Sequence, residues 1–134
     1  MSATSFPSLA WFEAAKARTN ADAAFKKLGT ADTRFAIKHD DAVVEVQFDA
    51  FAIGTVAERS VEELREFDFY LEMSSVQWHD YLDGLRRPGA KRSISDVDLQ
   101  TDGGVVKGES ALGKNNAFRY LCSVDRFFEL GAMQ

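Results

Sequence analysis

A single cysteine, two prolines, two histidines and no excess of positive charge set the first limits on this chain. One cysteine excludes an intramolecular disulfide and any thiolate metal cluster. Cys122 falls in a helical apolar pattern, so a buried, inert thiol is expected there. His39 and His79 have no partners at metal-ligand spacing, and no metal is expected. Lys and Arg number 16 against 21 Asp and Glu, a net charge of −5. The densest basic stretch, Arg86, Arg87, Lys91 and Arg92 around Pro88-Gly89, is short and reads as a solvated loop. A protein that binds phosphate backbones concentrates more positive charge, so nucleic acid is not an expected partner. No apolar run approaches the ~20 residues of a membrane span, and no membrane insertion is expected. The N-terminus shows neither the charged nor the apolar region of a secretory leader. The ending Gly131-Ala132-Met133-Gln134 is not a peroxisomal address. A cytoplasmic location is the default expectation.

Phenylalanine is what the chain has in excess, with 11 Phe against three Tyr and two Trp among 134 residues. That length suits one domain, taken as 1–134, and is enough to bury an ordinary core without staples. Rings without polar handles pack cores well and also line cavities for oily ligands. Composition does not separate these uses.

Pattern along the chain divides it into elements. Residues 7–28 predict two helices. Pro7 suits a first turn, Leu9, Phe12 and Ala15 follow at helical spacing, Asn20 is positioned to cap the second helix, and Gly29 stops it. From Asp32 the period changes to two. Phe35 and Ile37, then Val44, Val46 and Phe48, alternate with polar residues around the turn His39-Asp40-Asp41, which predicts an antiparallel hairpin. A third strand is expected over 51–56, with a bend or bulge at Gly54. Ser60 with Glu63 and Ser74 with Gln77 form capping boxes. Between them Phe67, Phe69, Leu71 and Met73 point one way along a strand, and Asp68, Tyr70 and Glu72 the other. The helix after Ser74 presents Trp78, Tyr81, Leu82 and Leu85 on one face. Residues 86–102 are polar and predict no helix. A short strand follows over 105–109, and a final helix over about 114–130 carries Ala117, Leu121, Val124 and Phe128, with Gly131 as its cap. The expected fold is α+β, an antiparallel sheet of about five strands with helices covering one face and an apolar cavity between them.

In its order of elements the chain resembles the sterol-carrier-protein-type (nonspecific lipid-transfer) domain family. The resemblance runs from Phe25 to Phe128. It rests on the short helix before the hairpin Phe35-Ala36-Ile37 … Val44-Glu45-Val46, and on the strand Phe67 to Met73. That strand runs straight into Ser74-Ser75-Val76-Gln77-Trp78-His79-Asp80-Tyr81. Val105-Val106-Lys107-Gly108-Glu109 and the closing amphipathic helix complete it. The resemblance implies a hydrophobic tunnel between sheet and helices that holds a fatty acyl chain, a sterol or a similar lipid, with no cofactor. The cavity-lining candidates are Phe67, Phe69, Leu71, Met73, Trp78, Tyr81, Leu82, Phe118, Leu121 and Phe128. The plainer alternative for each is a place in the core. Apolar burial at about 0.8 kcal/mol per CH₂ gives such a pocket several kcal/mol without a specific polar contact.

Chemistry finds little support in the sequence. No serine sits in a nucleophile elbow, and the glycines form neither a dinucleotide nor a phosphate loop. His39 reads as a solvated loop tip and His79 as an exposed helix residue, although Asp83 lies at i+4 from it. Asp68 and Glu72 become acid–base candidates only if another element covers their face. No catalytic residue is assigned. The first expectation is a carrier that does no bond chemistry. The alternative is a small cavity enzyme or accessory of the nuclear-transport-factor-like type, an isomerase or hydratase whose fold ends in long strands. A groove that receives a partner protein is a third reading, and a homodimer or an enzyme partner is left open.

Overall fold

The computed structural model describes residues 6–28, 32–86, 93–108 and 111–132, with the helical backbone alone for 111–116. The elements are α1 (Leu9–Asn20), α2 (Ala23–Lys27), β1 (Thr33–His39), β2 (Ala42–Asp49), β3 (Ala52–Arg59), a 3₁₀ turn (Val61–Glu66), β4 (Phe69–Glu72), α3 (Ser75–Leu85), α4 (Ile94–Gln100), β5 (Val106–Lys107) and α5 (Ala111–Ala132). The stop at Gly29, the basic positions Arg87, Lys91 and Arg92 with Pro88-Gly89, and Glu109 lie outside the described residues.

The hairpin forms where the alternation places it, with Thr33 opposite Phe48 and His39 opposite Ala42. Its two-residue loop holds Asp40 at φ 54°, a left-handed conformation that a short polar side chain tolerates. β3 extends the meander with a bulge at Gly54, as expected: Gln47 pairs with Thr55 and Phe48 with Ile53, which leaves Gly54 as the extra residue. The five strands order as β3-β2-β1-β4-β5. β4 pairs parallel to β1, Phe35 with Phe69 and Lys38 with Glu72. The sheet is therefore mixed and mostly antiparallel. The 3₁₀ turn carries the chain from the β3 edge past β2 to the far side of β1, a crossover that hydrophobic alternation does not record.

Phe35 and Ile37, Val44 and Val46, and Phe69, Leu71 and Met73 share one sheet face and pack with Trp11, Phe12, Val124, Phe127 and Phe128 of α1 and α5. The other face carries a smaller cluster of Ala36, Val43, Leu64 and Phe67, with the Arg34 guanidinium 4.8 Å above the Phe67 ring. Phe67 is thus on the side opposite to Phe69. It still caps the 3₁₀ turn, and the strand's alternation begins only at Phe69. On that same outer face Glu45, 2% exposed, takes hydrogen bonds from Arg34 and Arg59.

Local chemistry moves several boundaries. Ser8, not Pro7, opens α1, its hydroxyl accepting from Trp11 N–H at 3.2 Å. Asp22 caps α2. Asn20 instead fastens α1 to the sheet edge, its amide donating to the Ile53 carbonyl at 3.2 Å and accepting the Ile53 N–H at 2.7 Å. Both expected capping boxes are present, at Ser60/Glu63 and Ser74/Gln77. A further box, Ser93/Asp96, starts α4 inside the polar stretch where no helix was expected. α4 buries only Ile94 and Val97, too little for a periodic signal. Gly131 lies within α5 rather than capping it, and Cys122 is exposed on that helix, not buried. A two-residue β5 followed by the 22-residue α5 gives the chain a helical ending, unlike the long terminal strands of the cavity-enzyme alternative.

Candidate functional site

Five rings converge where the sheet meets the ends of α1, α3 and α5. Phe6 lies 5.0 Å from Trp11 and 5.0 Å from Trp78, and Trp78 lies 5.6 Å from Phe128. Tyr81 packs against Phe128 at 5.8 Å. Above them opens a groove of about 650 Å³. Its apolar wall is Phe6, Trp11, Val76, Trp78, Leu82 and Ala132, and its polar rim is His39, Ser75, His79, Asp83 and Arg86. Trp78 Nε1 donates to the Lys38 carbonyl at 3.1 Å, which fixes the indole against the end of β1. Arg86 Nε donates to the Ala132 carbonyl at 2.7 Å and ties the end of α3 to the end of α5.

The parallel pairing of β1 and β4 shapes the rim. Both strands release the chain on the same side, so His39 after Lys38 and Ser75 after Glu72 emerge as neighbours. His39 Nε2 stands 3.1 Å from Ser75 Oγ, across 36 residues of sequence. On the other side of the ring His39 Nδ1 faces Asp40 Oδ2 at 3.8 Å. Phe6 meets the imidazole edge to face at 6.0 Å.

Beneath the groove a polar contact joins three helices. Tyr81 donates its hydroxyl to Asp125 Oδ1 at 2.6 Å, and the Ile94 N–H at the start of α4 donates to the same oxygen at 3.0 Å. Burial raises the Asp125 carboxyl above the usual aspartate range despite both donors. Burial also pushes the Tyr81 hydroxyl well above its ordinary value, and the Asp125 charge adds to it. Tyr81 thus stays protonated and serves as the donor of this contact.

Of the ten residues expected to line a cavity, Trp78 and Leu82 line the groove. Tyr81 lies below its floor, 1% exposed. Phe69, Leu71, Met73, Leu121 and Phe128 are all in the main core, none more than 5% exposed, and the Phe69 ring stacks on Phe35 at 5.1 Å. These five fill the space between sheet and α5. Phe67 is on the opposite sheet face, and Phe118 is 45% exposed on α5, one residue beyond the inward Ala117. The acid–base candidates are ordinary pairs, Asp68 accepting from Thr33 and the Arg34 N–H, and Glu72 bound to Lys38. Sequence reasoning missed Phe6, Trp11, Val76 and Ala132 as walls, and His39 and Ser75 as neighbours. Ring-rich segments at both ends of the chain were the available signal.

Among the described residues no group of three His, Cys, Asp or Glu is placed to hold a metal ion, and no helix is long and apolar enough to cross a membrane. No sequence family matches the chain, and no curated protein sequence matches it. Solved structures share its fold. The crystal structure of sterol carrier protein 2 superposes with a TM-score of 0.71 at 17% identity, over 96% of this chain and 98% of that one. The solution structure of a conserved hypothetical protein from Thermus thermophilus, named as a candidate sterol carrier protein, superposes with a TM-score of 0.65 at 18% identity, over 99% of this chain and 92% of that one. The chain therefore has the sterol-carrier-protein fold, in the class of α+β folds with a mixed five-stranded sheet.

Proposed function

We propose that this protein is a single-domain carrier that binds an apolar small molecule, a fatty acyl chain, sterol or similar lipid, in the groove between α1, α3 and α5. The observation that carries the reading is the aromatic groove itself, walled by Phe6, Trp11, Trp78 and Leu82 and bordered by polar side chains. An oily chain gains about 0.8 kcal/mol per CH₂ against such a wall, and the rim keeps a polar end in water. The shared fold with sterol carrier protein 2 supports the same reading. Phe128 packs behind the wall against Phe6, Trp11 and Trp78 and holds it in place.

The chain's two tryptophans, Trp11 and Trp78, both line this groove, so intrinsic fluorescence reports on it directly. Titration with cis-parinaric acid should quench tryptophan emission and show saturable energy transfer to the polyene. Native mass spectrometry of freshly purified protein should show copurified lipid mass. A clean apo mass together with no energy transfer would sink the carrier reading.

A further inference from the structure

We propose that Ser75 and His39 form a nucleophile–base pair that hydrolyses carboxylic esters of apolar acyl chains held in the groove, an activity that rests on the binding reading above. The two side chains meet at 3.1 Å, inside the reach a base needs to take a hydroxyl proton. Neither is occupied in building the fold. Ser74, not Ser75, caps α3, accepting from Gln77 N–H at 3.1 Å. His39 ends β1, and its ring rests on Phe6 at the groove wall. The pair sits just beyond the carboxyl ends of two adjacent parallel strands, which bring both side chains to the same edge of the sheet beside the groove.

The start of α3 supplies the remaining part. Val76 follows the nucleophile in the first turn, where backbone N–H groups have no acceptor within the helix. Its amide and the positive end of an 11-residue helix face the carbonyl oxygen of an ester attacked at Ser75. In the step, Ser75 Oγ bonds to the acyl carbon while His39 Nε2 takes the hydroxyl proton. The acyl C–O bond breaks and that proton passes to the departing alkoxide, which leaves as the alcohol. Water then adds to the acyl-serine ester, His39 takes its proton and returns it to Ser75 Oγ, and the carboxylic acid leaves. Asp40 faces Nδ1 at 3.8 Å but is 76% exposed, so water screens its support of the imidazolium. Turnover is accordingly slow beside enzymes whose third residue is buried. The acyl specificity comes from Trp78, Leu82 and Val76, which lie next to the pair along α3.

The test uses the full chain with p-nitrophenyl octanoate and p-nitrophenyl acetate, and a fluorophosphonate probe followed by peptide mass mapping. The expected result is covalent labelling at Ser75, preference for the octanoyl ester, and loss of hydrolysis by about 100-fold in Ser75→Ala and in His39→Gln. Circular dichroism of both variants is compared with the parent chain, and labelling of the unmodified chain stands independently of either. Hydrolysis that survives Ser75→Ala, or labelling at another residue, overturns the proposal. No hydrolysis and no label, with cis-parinaric acid still bound, overturns the esterase and leaves the carrier standing. Loss of binding as well overturns both.

Discussion

Gly131 of α5 lies against the indole of Trp11, so close that a Cβ there would stand 2.4 Å from Cη2 and 2.6 Å from Cζ2, with Ala15 Cβ at 3.1 Å. Helix propensity alone favours alanine over glycine by about 1 kcal/mol. Here the contact wins, because Trp11 is 3% exposed and hemmed in by Phe6, Phe12, Phe127 and Phe128. Gly131→Ala should lower stability by about 1–3 kcal/mol through overpacking. Urea denaturation followed by circular dichroism measures it, and an unchanged midpoint would mean that the indole gives way freely.

The Tyr81–Asp125 bond predicts an unusual pH response. The Asp125 carboxyl is raised by burial, so its ionised form costs stability above its folded pKa, and that cost is relieved as pH falls through it. Tyr81→Phe leaves the buried carboxylate with the Ile94 N–H alone among its two hydrogen-bond donors and should cost about 1–3 kcal/mol at pH 7. The penalty should shrink as pH is lowered, and in an Asp125→Asn background it should shrink at every pH. A Tyr81→Phe penalty that is the same at all pH values and in both backgrounds contradicts this account.

Glu45 responds in the opposite sense. Burial pushes its carboxyl up, but hydrogen bonds from Arg34 and Arg59 outweigh that and hold it below the usual glutamate range. Its contribution is therefore present above the unfolded pKa and lost as pH falls through the folded one. Glu45→Gln should lose about 1–3 kcal/mol at neutral pH and nothing once the parent carboxyl is protonated. Paired denaturant titrations at neutral and acid pH decide it. A gap that stays open at acid pH counts against the ion-pair cause.

Val76 is an apolar side chain 69% exposed at the groove rim, so its replacement tests binding without touching the core. Val76→Glu should weaken cis-parinaric acid about tenfold or more, since a carboxylate there faces the acyl chain. The unfolding midpoint should be unchanged. Equal affinity in the variant would move the ligand elsewhere.

The sequence made the hairpin, both capping boxes, α5 and the overall class legible, because each depends on local periodicity or a three-residue spacing. Phe67 was misplaced because its alternation with Phe69 is broken by the 3₁₀ turn, which resets which way the chain faces. Cys122 lies one position beyond the inward Leu121, and an apolar stripe widened by a residue was enough to misjudge it. Ser93 and Asp96 carried a cap signal for α4, but the two apolar residues behind it were too few. The groove was out of reach for a different reason. Its walls come from residues before α1, from α1, from α3 and from the end of α5, and the meeting of His39 with Ser75 depends on strand direction, which side-chain alternation leaves unspecified.

The parallel contact between β1 and β4 also carries a kinetic consequence. β1 and β2 close through a two-residue loop, whereas Arg34 and Asp68, hydrogen-bonded across the parallel pair, are 34 residues apart. Closing the longer segment costs more chain entropy, so the meander should assemble first and β4 with α3 should dock onto it afterwards. The groove then belongs to the part of the molecule that opens first. Native-state hydrogen exchange should find the amide of Leu71 less protected than that of Val46, and equal protection would place the whole sheet in one cooperative unit. A groove built on the last-docked seam can widen by brief local opening, with the remaining strands intact.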